Sequence, residues 1–549
     1  MKKLISLLLA VLMVMTLCAC GQETPTQTTP QQPTESGTRP TEAPEEIDPD
    51  ADKTYDSSAL FRYNRLAVQK DGKWGYINRT GTFVIPAAYD FAGPFGENGL
   101  ARVLKDGKYG YINTQGDYVI PSQYEWVEDF AETDLAYVKL NGKYGLIDKT
   151  GAVIAEPQFE QIHPFGENGL ARVEKDGKLG YINRQGEVVV EPRFEELSGF
   201  SGNGLAVVML EDKYGIINDK DAFILAPQYD YIWNFQENGF AVMEQNGKYG
   251  CINPQGQLAV APQFDAVWNF CESGFAIVEQ NGKYGYINTR GDLVVAPQFD
   301  SAYDFSEYDL APVKLNDKWG YINTQGAFVI APQFESAEVF GENGLAPVKQ
   351  NDKWGFINQE GQFVIPAQFN SIHPFAENGL AAVEQIGLWG FIDTQGKFVI
   401  EVLFDDAENF TESGLAKVAL GDKWGLVNEK GDLVTEPQFD DIQAFGAYGL
   451  AKASKNGLWG LVNRQGTVVV EPQYEEISEF SENGMAAVLL NGQYGFLNET
   501  GTLIINHLYV SASQFFSDGL AVVKRNDKFG IVDRFGNYVI DLRYENVRY

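Results

Sequence analysis

The sequence predicts an all-β fold: fourteen tandem 35-residue antiparallel β repeats stacked into an open β-solenoid or superhelix. Three observations predict it. A glycine recurs every 35 residues from Gly75 to Gly530, fourteen times without an insertion, and a fixed period of that length marks a repeat architecture. Each period alternates short apolar runs with turn signals, which is the pattern of strands and hairpins. One strand per period is apolar at three successive positions, as in Phe83-Val84-Ile85 and Phe363-Val364-Ile365. A half-exposed strand would alternate, so this run predicts burial on both faces between neighbouring units.

The unit beginning at Leu100 shows each element in turn. Leu100-Ala101-Arg102-Val103-Leu104 reads as a strand. Asp106-Gly107 follows, a dipeptide suited to a type I′ turn because both positions need φ above zero. Tyr109-Gly110-Tyr111-Ile112-Asn113 is the return strand, and Asn113 to Gly116 a second turn in which Asn bonds its own backbone. Asp117-Tyr118-Val119-Ile120 is a third strand stopped by Pro121. Tyr124 to Phe130 leads to the next unit through a further short extended piece. The recurring glycine lies between two large residues, as Gly75 between Trp74 and Tyr76. It is expected to let a ring or backbone of the adjacent unit approach closely. One such unit is too small to fold alone, so stacking must supply the core.

A closed form is the alternative: two seven-bladed β-propellers. The chain enters on Leu66-Ala67-Val68 and ends at Tyr544-Glu545-Asn546, before the matching segment recurs, an offset that would let the two ends complete one unit. Two rings would leave a seam near residues 300–315, where the register runs on unbroken. The open form is therefore the expectation.

Asp71-Gly72-Lys73-Trp74-Gly75-Tyr76-Ile77-Asn78, with Gly81, then Val84-Ile85-Pro86 and Tyr89, resembles the bacterial WG (KWG) repeat family. The resemblance covers residues 59–549. It implies an all-β repeat protein, often secreted or lipid-anchored, with a molecular function largely undefined. Leu179 replaces the aromatic before the glycine, Asp221 a turn glycine, and Val402, His507 and Leu542 the usual proline. The last two changes are expected to reflect capping at the chain end.

The first 58 residues differ from the rest. Met1-Lys2-Lys3 and the apolar run to Leu17 read as a signal peptide over residues 1–19. Leu17-Cys18-Ala19-Cys20 resembles a bacterial lipobox, which implies lipidation of Cys20 and membrane attachment through that anchor alone. Residues 20–58 are rich in Thr, Pro, Gln and Glu and too poor in apolar residues to bury a core, so they are expected to form a disordered stalk. The predicted location is extracytoplasmic. There, a disulfide between Cys251 and Cys271 is permitted, although thirteen other units manage without one.

The formal net charge is −33. It argues against nucleic acid, whose binding needs Lys and Arg to replace counterions. No serine or cysteine nucleophile motif, zinc motif or phosphate loop is present. His163, His373 and His507 have no companions at metal-ligand spacing. Glu195-Glu196, Asp405-Asp406, Asp440-Asp441 and Glu475-Glu476 pair in equivalent slots, which suits a solvated rim better than one catalytic centre. No enzyme activity and no cofactor is expected, with calcium along that rim the single metal worth considering. The expected function is an extracellular scaffold that binds a surface or secreted protein. The alternative is a cell-surface carbohydrate-binding lipoprotein. Variation between units concentrates after the aromatic that ends each period, as in Trp126-Val127-Glu128-Asp129 and Tyr231-Ile232-Trp233-Asn234. Trp126, Trp233 and Trp268 stand in that stretch outside the repeating framework. They are the candidate ligand-binding residues.

Overall fold

The computed structural model describes residues 56–130 and 134–549. The signal peptide, Cys20 and nearly all of the stalk lie outside the described residues. Those described contain only strands and turns: fourteen sheets of four antiparallel strands each. Each sheet is one blade, numbered here in chain order. Blade 2 comprises Phe91–Ala92, Leu100–Lys105, Lys108–Asn113 and Tyr118–Tyr124, hydrogen-bonded in that order.

The turn chemistry is as expected. Asp106 and Gly107 sit at φ 53° and 75° between the paired Lys105 and Lys108. Asn113 Oδ1 accepts from the backbone N–H of Gln115 at 3.0 Å and of Asp117 at 2.9 Å. Asp221, which replaces the turn glycine of blade 5, keeps the left-handed geometry at φ 61°. Its carboxylate holds the guanidinium of Arg193 with both oxygens, which offsets the steric cost of its Cβ.

Two local expectations need correction. The glycine of the Trp-Gly pair is crowded by its own blade and not by a ring of the next one. In blade 8, Trp319 pairs with Phe334 and Tyr321 with Ile330, so the last strand carries extra residues opposite Gly320. A Cβ built on Gly320 would meet Ile330 O at 2.5 Å, Pro332 N at 2.7 Å and Ala331 C at 2.8 Å. The bulge folds the last strand's backbone across the glycine, and proline, which donates no ladder bond, fits at its crest. Secondly, the last strand is not buried on both faces. Of Tyr118-Val119-Ile120 only Ile120 is buried, while Tyr118 is 40% and Val119 37% exposed. The last strand is the outer edge of its sheet, so only the residue aimed at the next blade is covered.

Fourteen hydrophobic clusters fill the spaces between blades, one for each adjoining pair. Between blades 7 and 8, Ile277, Tyr286, Val295 and Phe299 pack on Phe305, Ala311, Val313 and Ile322, so no seam divides the array in two. Between blades 14 and 1, Val522, Ile531 and Ile540 pack on Leu66, Val68 and Ile77.

The strand order of blade 1 explains that last contact. Its short strand is Asn546–Arg548, from the end of the chain, and Val547 pairs with Val68. Leu60 and Phe61 are buried in the same junction, and Arg79 meets Asp518 at 3.0 Å across it. The array of fourteen antiparallel units is as the sequence predicts. Its closure corrects the open expectation: the blades form one propeller-like ring, neither an open superhelix nor two rings of seven. The physical reason is that an open array would leave two apolar blade faces and unpaired strand edges in water. His507 and Leu542 therefore cap no free end; they replace proline in blades that are covered on both sides.

Candidate binding face

In blades 2 to 14 a two-residue strand opens the sheet, and the chain then crosses to the longer second strand. The stretch that varies most between units falls here. The residue directly after the short strand is held by its own backbone. Trp233 N–H donates to Val242 O at 2.9 Å, Trp268 N–H to Ile277 O at 2.9 Å, and Tyr303 N–H to Pro312 O at 3.0 Å. This position recurs at 35-residue spacing, so Trp233, Trp268 and Tyr303 are equivalent residues of blades 6, 7 and 8.

The three side chains share one arrangement. Each ring rests on the framework aromatic of its own blade. The centroid distances are 5.7 Å for Trp233 on Tyr249, 5.6 Å for Trp268 on Tyr284 and 5.1 Å for Tyr303 on Trp319. Each stays well exposed, at 38%, 42% and 44% respectively. The Tyr286 hydroxyl of blade 7 donates to Tyr303 O at 2.6 Å and so pins blade 8 to its neighbour at this point.

Trp126 does not join them. It lies within the short strand of blade 3, opposite Lys139, two positions earlier in the repeat, and its ring meets Tyr144 edge-on at 5.8 Å. Of the three tryptophans read from the sequence, the structure places two in equivalent slots and sets one apart. Tyr303 was missed, although its 35-residue spacing from Trp268 is visible in the sequence.

The same crossing segments line two grooves. The larger, about 1980 Å³, runs over blades 9 to 12. Seven carboxylates line it, Glu338, Glu342, Glu377, Glu408, Glu412, Glu429 and Asp441, against Lys417 and Arg464. Lys417 Nζ lies 2.7 Å from Glu408 and 3.6 Å from Asp441 and so links blades 11 and 12. Apolar side chains, among them Trp354, Phe356, Leu426 and Phe445, complete the lining. The smaller groove, about 820 Å³, includes His163, Arg172 and Asp219 of blades 4 and 5. His163 Nε2 is 3.3 Å from Arg172 Nη2. Burial, then the adjacent guanidinium, lower its basicity. His373 instead packs on Trp389 at 5.2 Å.

The paired carboxylates are not simply a solvated rim. The first of three pairs, Glu195, Asp405 and Asp440, caps the hairpin turn of its own blade, and in several blades the carboxylate of this slot also takes the lysine of the blade before. Lys213 Nζ meets Asp230 Oδ1 at 2.5 Å, and Asp230 Oδ2 accepts from Asn246 N–H at 2.5 Å. Glu195 joins Lys178 to Glu211 N–H in the same way, and Asp440 joins Lys423 to Asn456 N–H. The lysine bond holds each of these carboxyls below the usual carboxylate range. Among the described residues no three His, Cys, Asp or Glu side chains converge as a metal site. Cys251 and Cys271 are free and fall in neighbouring blades. Burial pushes the Cys251 thiol up to about 12, which leaves it unreactive.

The WG containing repeat family matches thirteen consecutive segments between residues 74 and 529. No curated protein matches the chain. Among solved structures it is similar to the extracellular domain of a hybrid two-component system of B. thetaiotaomicron, at 10% identity and a TM-score of 0.22, over 84% of this chain and 80% of that one. It is also similar to PorZ, a surface component of the type-IX secretion system of Porphyromonas gingivalis, at 10% identity and a TM-score of 0.18, over 84% of each chain. Hsv2p of Kluyveromyces lactis aligns at 9% identity and a TM-score of 0.23, over 42% of this chain and 92% of its own. With thirteen repeats matched in unbroken register, the chain belongs to the WG containing repeat family.

Proposed function

We propose that the ring is a non-catalytic binding scaffold, held outside the cytoplasm by a lipid on Cys20 and a stalk over residues 20–58. Its partner in this reading is a surface or secreted protein that lays a basic segment into the groove over blades 9 to 12. The groove itself carries the proposal: about 1980 Å³ spread across four blades, with seven carboxylates against two cations around an apolar lining. Opposite charge steers an encounter and sets register, while apolar contacts supply affinity. Solenoid and ring repeats suit such a role because each unit offers an independently variable position on a shared frame.

The test is cross-linking on intact cells, with identification of the protein captured, followed by the double variant Glu377→Lys and Glu412→Lys. The expected result is a captured protein with a basic segment whose capture falls at least tenfold in the variant and weakens with added salt. Capture that is indifferent to both charge reversal and salt would refute the groove as the site.

A further inference from the structure

We infer that Trp233, Trp268 and Tyr303 form a rail across blades 6 to 8 that binds a neutral, linear saccharide chain. This is a second ligand site beside the protein groove, and it stands independently of that reading.

The rail departs from the architecture of the ring. A framework aromatic occurs in nearly every blade because it fills the space between blades. At the rail position the other blades carry polar or small residues, such as Glu128, Ser198, Gln443 and Ser513, or a histidine that is half-buried, as His163 and His373, the latter on Trp389 at 5.2 Å. Three successive blades instead expose a large ring, at 38%, 42% and 44%, and large apolar rings left exposed at equivalent places mark a binding site. The ground beneath them changes too. The second-strand residue that accepts the rail residue's N–H is Val242, Ile277 and Pro312 in blades 6 to 8. In blade 11 the same place holds Lys417, whose ammonium covers Trp424 at 5.1 Å. The framework ring that a cation covers there is packed here by a second ring, tilted by 36° and 40° for Trp233 and Trp268 and stacked at 14° for Tyr303, so each ring is held by its own blade before any ligand arrives.

The neighbouring residues identify the ligand class. Directly after the three rings come Asn234, Asn269 and Asp304, all exposed. Each of the three blades thus offers a flat ring and, on the next residue of the chain, an exposed amide or carboxylate. A sugar presents the complementary pair, a face of C–H groups and an edge of hydroxyls. The bases of a nucleic acid would also stack, but its backbone phosphates would meet a chain of formal net charge −33. A purely apolar protein surface would leave the three polar groups without partners, at a cost in desolvation. The recurrence of such a ring at the same place in three successive blades favours a polymer over a single sugar, because each added contact is then intramolecular.

The test uses the full-length chain in detergent, an array of neutral linear oligosaccharides, and calorimetry with the best binder at increasing chain length. Affinity is expected to rise with length until three platforms are spanned, then level off. Trp233→Ala, Trp268→Ala and Tyr303→Ala should each lower it about tenfold, Tyr303→Phe should retain it, and Phe535→Ala, an exposed ring in blade 14, should leave it unchanged. Equal thermal stability of the variants keeps the comparison interpretable. An array on which no neutral saccharide binds overturns the inference. So does binding that survives Tyr303→Ala or falls equally in Phe535→Ala. In either case a protein captured through Glu377 and Glu412 would leave the scaffold reading intact, and loss of that capture with saccharide binding retained would leave only the rail.

Discussion

Replacing Gly320 by alanine adds one methyl group where the structure has no room for it. Its Cβ would lie 2.5 Å from Ile330 O and 2.7 Å from Pro332 N, and both atoms belong to the backbone of the last strand of blade 8. Relief to an ordinary contact needs that strand to move out by about 1 Å, which no rotamer change can supply. Overpacking of this kind costs about 1–3 kcal/mol. The shift also weakens the ladder on either side, where Trp319 pairs with Phe334 and Tyr321 with Ile330, at about 1 kcal/mol per hydrogen bond. The expected total is about 3–5 kcal/mol. Gly282 is the comparison: it has φ 71° and open space around its Cβ position. Alanine there meets only the backbone penalty of the left-handed region, about 1–2 kcal/mol. Urea denaturation of both variants, with hydrogen exchange of the amides of blade 8, measures the difference. A Gly320→Ala variant no less stable than Gly282→Ala would refute the account of why the Trp-Gly glycine recurs.

The closure of the ring rests on a three-residue strand, so Val547→Asp, which sets a charge in the buried pair with Val68, should release the chain end. Small-angle scattering is expected to show a larger radius of gyration, and an unchanged compact particle would contradict the closing role. The clasp carboxyls Asp90, Glu160, Glu195, Asp230, Asp265, Asp300 and Asp440 are all lowered, chiefly by the hydrogen bond from lysine. Their stabilisation is present above the unfolded carboxylate range and is lost as pH falls through the lower folded values. Melting temperature should therefore drop below about pH 4, and replacing the partner lysines by Gln should flatten that drop; an equal acid response would remove the clasps from the account. Ile386 is 81% exposed and holds φ 55° in a hairpin turn where all but two of the other blades use Asn or Asp, the exceptions being Glu211 and Gly421. Ile386→Asn should raise stability by about 1 kcal/mol in the same denaturation assay, and a loss would contradict the strain.

Much of the candidate rail was legible in the chain. Trp233 and Trp268 stand out because they interrupt a strict repeat, and the same spacing leads to Tyr303. Trp126 was grouped with them because the sequence shows only that it lies in the variable stretch; two positions along a strand-to-turn crossing give a different direction. The groove over blades 9 to 12 was not legible, because residues such as Glu342 and Glu412 lie two repeats apart and come to line one groove only through stacking. The carboxylate pairs misled for a related reason: Glu195 meets a lysine seventeen residues away, across a blade boundary.

The sequence by itself determined the unit: its 35-residue length, its turns at Asp106-Gly107 and Asn113 to Gly116, its apolar faces, and therefore the contact of each blade with the next. These features depend on residues close in the chain, so periodicity and turn chemistry expose them. Only the tertiary structure decided that fourteen blades close into one ring through Val547 and Val68, and that the last strand's backbone lies over each Trp-Gly glycine. Closure depends on the sum of small rotations between successive blades. No single residue carries that sum, so an open superhelix and a closed ring share nearly the same repeat.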